Sequence, residues 1–526
     1  MTERSKKLTL AACILGSGVV FLDGTVVNVA LPAIQDDLNA SLAAQQWVVE
    51  AYLLTLGSLV LIGGSLDDLF ERRRIFAVGA AVFGVCSALC ALSPSVEFLI
   101  AMRALQGAGG ALLVPSTLAI IIATFPESER GAAIGSWTAW TGVATVVGPL
   151  AGGVLIETVS WRLIFLINIP LIAITLGLIP HIARSTTHPE NARIDFLGAA
   201  LCALGLCGVV LALIQQPRLG WGSAEVAVSG VGGLALLVLF VLHERVAPSP
   251  MLPLSLFGVR NFAVGNTTTL TMYAGLGAGI FFINLFLQQV AGYTPVQAGA
   301  SLLPVTLIMF ALSRRVGQVA DRHGPRLFMG LGPLVAAVGL LLLLRVDVHA
   351  DYATTVGPAL VVFGLGLALT VAPLTATVLG AVETRHAGVA SGVNNAIARV
   401  AGLIAIAALG AFIASRYVSS VDAHLTGLSL SHAAHAAVET ARSRPLTTGS
   451  AHGLTGHARA LLTHVFQQAS LSAFRLGIAL TAGLVALGGV VSLVGIVSPR
   501  RTVAAAECSG GALYGAQPEA VSAKSA

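Results

Sequence analysis

Long apolar runs organise this chain. No charged residue occurs in 75–96, 104–126, 131–155, 163–183, 196–217, 226–243, 327–344, 352–382 or 476–499. A helix crossing the hydrocarbon core of a membrane needs about 20 mostly apolar residues, so each run reads as one span. The charge-free stretch 261–313 is too long for one helix and contains the turn sequence Gly292-Tyr293-Thr294-Pro295, so it divides in two. Three further spans hold one interior charge each: 8–32 with Asp23, 47–66 with Glu50 and 388–415 with Arg399. The pattern predicts an all-α membrane protein with fourteen transmembrane helices.

Composition narrows the class. Of 526 residues, 56% are apolar and 10% charged, against roughly 25% charged in soluble proteins, which excludes a soluble globule. With the N-terminus inside, the cytoplasmic segments carry nineteen basic residues, Arg72–Arg74 and Arg314–Arg315 among them, while the short outer loops carry only Arg162, Arg218 and Arg345. That asymmetry is the positive-inside signature, predicts a cell-membrane protein with both termini cytoplasmic, and accounts for the net charge of +5 without nucleic acid. One span too many or too few would put the downstream charges on the wrong side. The Met1–Lys7 segment runs straight into apolar sequence and reads as the start of a retained first span. Cys13, Cys86, Cys90, Cys202 and Cys207 lie inside apolar runs and Cys508 in the tail, with neither disulfide nor metal spacing. No phosphate-cradling loop, HExxH or nucleophile elbow is present, which argues against an enzyme, and no nucleotide-binding domain that would power a pump.

A charge at mid-membrane costs about 2.5–3.5 kcal/mol on insertion scales. Asp23 in span 1, Glu50 in span 2, Arg103 in span 4 and Arg399 in span 13 accept that cost. Asp23 with Arg103 reads either as a structural ion pair fixing helix packing or as a proton relay facing an internal cavity. A nearby arginine and desolvation act on a carboxyl in opposite directions, so a conformational change altering the Asp–Arg distance changes proton affinity. Glu50, about a turn from the outer end, is either a third coupling group or a solvated helix-end residue.

Span 1 reads Leu22-Asp23-Gly24-Thr25-Val26-Val27-Asn28-Val29-Ala30-Leu31-Pro32 and span 2 opens Trp47-Val48-Val49-Glu50-Ala51-Tyr52. Both segments resemble the major facilitator superfamily, and in particular its fourteen-span drug:proton antiporter branch, although the family more often has a neutral residue at Glu50. The first cytoplasmic hairpin, Gly63 to Arg74, resembles the loop G-x-L-x-D-R-x-G-R-[KR], with Gly64, Asp68, Arg72 and Arg73 in register. Leu69 replaces a basic residue there and Glu71 a glycine. A second copy with Gly317, Asp321, Arg322 and Gly324 follows span 10, where an internal repeat of a six-helix unit requires it. In the family these loops latch two bundles together on the cytoplasmic side. Span 4 has Arg103-Ala104-Leu105-Gln106-Gly107, whose Arg and Gln share a helix face. Span 5 has Gly148-Pro149-Leu150-Ala151-Gly152, similar to the family's antiporter motif. Trp161-Arg162 and Asn168-Ile169-Pro170 follow it, and spans 9 and 13 match the same branch.

The resemblance implies a six-helix bundle over 1–186, two linker helices over 187–260, a second bundle over 261–500 with an outer segment 416–475, and a cytoplasmic tail 501–526. The buried charges make Asp23, Arg103 and Glu50 the candidates for proton coupling, Glu50 as either an added coupling acid or a local peculiarity. The resemblance also implies a substrate chamber lined by spans 1, 4, 9 and 12, with Asn28, Gln106, Asn266, Tyr273, Phe281, Phe282, Asn284 and Gln288 as candidates. The expected activity is export of amphipathic or cationic drug-like compounds by alternating access, driven by the proton gradient, by a monomer that needs neither cofactor nor metal. The alternatives are a dedicated exporter of one endogenous metabolite or self-made antibiotic, and, more remotely, a non-transporting membrane sensor. Spans 7 and 8 carry no charge and read as scaffold. Six of the twelve His lie in 416–475, whose Ala, Leu and Ser suggest short amphipathic helices on the outer surface.

Overall fold

The computed structural model describes residues 3–182, 195–248, 250–382, 387–426, 431–447, 454 and 456–498, and the tail 501–526 lies outside them. Among the described residues all regular structure is helical. The first half contains α1 (Glu3–Leu38), α2 (Leu42–Leu69), α3 (Arg72–Ala91), α4 (Val96–Thr124), α5 (Glu127–Thr158), α6 (Leu163–Leu166) and α7 (Asn168–Leu178). A hairpin of α8 (Phe196–Leu219) and α9 (Ala224–Val246) follows. The second half contains α10 (Arg260–Gln289), α11 (Pro295–Ser301), α12 (Leu303–His323), α13 (Pro325–Leu342), α14 (Gly357–Gly380), α15 (Ala387–Leu425), α16 (His432–Arg442) and α17 (Gly456–Gly495).

Among the described residues thirteen segments are long and apolar enough to cross a membrane. The remaining predicted span lies on α2, part of whose second half falls outside the described side chains. Span 9 ends as its sequence dictates. Gly292 takes a φ of 74°, the left-handed region, and Thr294 and Gln297 form a capping box with Pro295 in the first turn of α11.

The two halves repeat one packing scheme. The pairs α1–α5, α2–α4 and α3–α4 of the first half return as α10–α15, α12–α14 and α13–α14 in the second. Close approach at α2–α4 depends on Gly107, where an added Cβ would lie 2.2 Å from the Thr55 hydroxyl and 2.4 Å from the Tyr52 carbonyl. We therefore expect Gly107→Val to force α4 off α2 and lower the thermal midpoint in detergent, read by size-exclusion monodispersity after heating; an unchanged midpoint would refute the close contact.

The halves meet at the end away from residue 3, here the far end. Gln288 donates to the Val29 carbonyl (3.1 Å), Gln289 pairs with Gln35, and Gln46 donates to the Ile406 carbonyl (2.8 Å). On the same seam, Gly153 of α5 would set a Cβ 2.8 Å from the Val296 Cα, and Gly299 one 2.5 Å from the Pro149 carbonyl. The α8–α9 hairpin packs on α2 and α15 through Leu206, Val210 and Ile214 against Leu54, Leu403 and Ala407. Most of α9 faces outward.

The segment 416–475 differs from expectation. Among its described residues only α16 is a short amphipathic helix, burying Ala434, Ala437, Val438 and Ala441. Elsewhere α15 runs on to Leu425, and α17 already begins at Gly456, so two spans extend past the predicted membrane boundary. Tyr417 and Val421 on one and Leu462, Val465, Phe466 and Ala469 on the other join the main apolar cluster, and this burial keeps the Ala-rich chain helical.

Candidate functional site

Asp23 is fully buried in the first half, and four helices supply its surroundings. From α4, Arg103 reaches Asp23 Oδ2 with Nη1, and Gln106 donates Nε2 to Oδ1 at 3.0 Å. From α7, Asn168 donates Nδ2 to the same Oδ1 at 2.8 Å. Ser87 of α3 accepts from Asn168 (2.9 Å) and Gln106 (3.3 Å) and donates to the Phe165 carbonyl. Arg103 is held as well by Nε to the Val48 carbonyl (3.1 Å), by Nη1 to Gln106 Oε1 (2.8 Å), and by the Tyr52 ring 4.1 Å from its guanidinium carbon. Tyr52 is itself fixed by its hydroxyl on the Val20 carbonyl (2.9 Å).

Every group that reaches Asp23 is a donor. Guanidinium and the two amide NH₂ groups have no lone pair with which to accept, so both carboxyl oxygens of Asp23 act as acceptors here. A proton arriving at Asp23 competes directly with Arg103. The network is reached from no surface, with Asp23 at 0% and Arg103 at 1% exposure. This corrects the expectation of a cavity-facing carboxyl: Asp23 points into its own bundle, toward α3, α4 and α7.

The antiporter motif packs on a neighbouring face of α1. A Cβ on Gly148 would lie 3.0 Å from the Leu22 carbonyl, and one on Gly152 would collide with Val26. Thr25, between them, donates to the Thr145 carbonyl (3.3 Å). Thr25, Thr145 and Pro149 form one wall of a cavity of about 80 Å³ between the halves, opposite Asn284, Leu303, Thr306 and Phe363.

The predicted substrate residues scatter. Asn284 lines that cavity. Gln106 belongs to the Asp23 network, and Asn28 is half-buried and turned back on the Thr25 carbonyl. Asn266 is tied to Asn394 inside the second half. Phe281 and Phe282 are buried edge to face in the core, Tyr273 packs against it, and Gln288 closes the far-end seam. Of the loop residues, Gly64, Asp68 and Asp321 lie outside the described side chains. Arg72 and Arg73 are partly buried at the start of α3, Arg73 reaching the Ile182 carbonyl, and Arg322 is exposed. Gly317 lies in α12, and Gly324 caps it with a φ of 90°. Among the described residues no three His, Cys, Asp or Glu gather as metal ligands. The sequence reading gave Ser87 and Asn168 no role at the site, although each is a polar residue in an otherwise apolar run, which is the signal that marks them.

The sequence model described as Major Facilitator Superfamily matches residues 13–406. The chain belongs to the major facilitator superfamily. It is a membrane transporter of that class and not an enzyme. It is 34% identical over 424 residues to the multidrug resistance protein Stp of Mycobacterium tuberculosis (strain CDC 1551 / Oshkosh), covering 80% of this chain and 79% of that one. It is 36% identical over 415 residues to the tetracenomycin C resistance and export protein of Streptomyces glaucescens, covering 78% and 76%. The fold is similar to that of a bacterial homolog of the human lysosomal transporter Spinster, in inward-facing and unoccupied conformation, with a TM-score of 0.65, 16% identity and coverage of 95% and 100%.

Proposed function

We propose that this transporter is a proton-driven antiporter that exports amphipathic or cationic organic compounds, with both chain ends in the cytoplasm and the far end facing outside. The carrying observation is the buried Asp23 carboxylate held by Arg103, Gln106 and Asn168. A proton taken up by Asp23 releases Arg103, and restoring the pair expels the proton. Asp23 and the cavity wall lie on opposite faces of α1, so a shift of α1 driven by cargo reaches both. The mostly apolar lining of the cavity suits amphipathic cargo, which needs the halves to part further than here, since such cargo fills roughly 300–1,000 Å³. With the seam shut at the far end, the arrangement is closed toward the outside.

Everted vesicles loaded with the protein and given an acid interior are expected to accumulate a fluorescent lipophilic cation such as ethidium, and an uncoupler is expected to abolish it. Accumulation that ignores the uncoupler would overturn proton drive. Relatives named for single antibiotics, tetracenomycin C and puromycin, are consistent with a second reading of one dedicated cargo. A response to one compound in a broad panel would select it.

A further inference from the structure

Glu50 is the acid that the Asp23 network does not use. It is 0% exposed, and both carboxyl oxygens lack a partner. The other described acids with a buried unpartnered oxygen, Glu71, Asp195 and Glu244, each pair through their second oxygen. Glu50 shares its helix face with Gln46, one turn away, and Gly57, two turns away. Both of those touch α15: Gln46 donates to the Ile406 carbonyl, and the Cβ position of Gly57 lies 3.4 Å from the Arg399 Cβ. Glu50 therefore stands in the seam between the two halves, eight residues or about 12 Å along α2 from Leu42.

The surroundings offer no counter-charge in this state. The charged group that α15 turns toward α2 here is Arg399, set two turns nearer the terminal end. From α4, Arg103 reaches α2 at Val48 but is committed to Asp23 of α1. From α8 come the thiols Cys202 and Cys207. The packing between α2, α8 and α15 is apolar, through Leu54, Leu206, Val210, Leu403 and Ala407. An unpaired carboxylate sealed there would cost far more than the neutral acid.

We propose that Glu50 is a second proton-binding site, separate from Asp23, that takes its proton from the outer solution and permits the outer seam to close only once protonated. When the halves part at the far end, the Gln46–Ile406 bond breaks and water reaches Glu50, whose O–H bond breaks with the proton passing to external water. Closure requires a proton from that side to re-form the acid. The sealed seam gives the proton no path inward, so Glu50 senses outer pH and carries no transported proton. The assignment of the outer side rests on the function proposed above.

The test uses a reporter cysteine at Gln35, which is 2% exposed with the seam shut, in the full-length protein in liposomes with the far end outside. Labelling by a membrane-impermeant maleimide is followed as outer pH rises, and rates are divided by those of a free thiol. With Glu50 present, the corrected rate is expected to climb with outer pH by up to about tenfold per unit, the limit for one linked proton. With Glu50→Gln the climb is expected to vanish, and Glu50→Leu, which suits the apolar seam, gives the same outcome should the amide variant fold poorly. An unchanged climb in either variant overturns the proposal. Combining the reporter with Asp23→Asn separates the two claims: the climb persists there while uphill transport is lost. If uphill transport survives Asp23→Asn, Asp23 is not the coupling group and the seam measurement still stands.

Discussion

Asp23→Asn is expected to abolish uphill export while the protein still inserts and binds cargo. The amide oxygen still accepts from Arg103, which also keeps the Val48 carbonyl, Gln106 and the Tyr52 ring. Two donors, Gln106 and Asn168, then compete for an atom that in Asn can itself be a donor, so the network loosens without collapsing. What disappears is the group that can be charged in one state and neutral in the other. Everted vesicles bearing this variant should lose more than about nine-tenths of gradient-driven uptake, while downhill exchange of preloaded cargo continues. Retained uphill uptake would show that Asp23 and Arg103 form a structural pair only.

Arg103→Ala is expected to be the more damaging change. Removing one partner of a buried ion pair costs about 3–5 kcal/mol because the other charge is left uncompensated. Here the loss also frees the Val48 carbonyl, Gln106 Oε1 and the face of Tyr52. The thermal midpoint in detergent should fall clearly below that of Asp23→Asn, and transport should be absent. Arg103→Lys is expected to recover stability but not transport. A single ammonium has no planar fork with which to hold Val48 through one nitrogen and Asp23 and Gln106 through another. Full activity with lysine would mean that only the charge matters.

The fold was legible because membrane burial writes itself in charge-free runs, and because the loop charges check the count independently. Pro295 and Gly292 marked the turn within the longest run, and the structure places it there. The Asp23–Arg103 pair was legible as two costly charges, but its direction was not. Whether a side chain on α1 faces the cavity or its own bundle depends on rotation about the helix axis, and an α1 apolar on nearly every face gives no stripe from which to read it. For the same reason Phe281 and Phe282 read as cavity walls and are core. Asn168 and Ser87 escaped because hydrogen-bond partners on distant spans carry no local signature. The lengths of α15 and α17 escaped because the hydropathy signal ends at the bilayer edge while tertiary packing continues.

Those two long helices have a practical result. At 40 residues α17 is about 60 Å long, near twice the thickness of the hydrocarbon core, and α15 rises beside it under the α16 cap. A transporter otherwise hidden in its micelle thus holds up a stiff handle. An antibody fragment gripping that handle would give particles an asymmetric landmark for image alignment, and would ride on the second half whenever it tilts against the first.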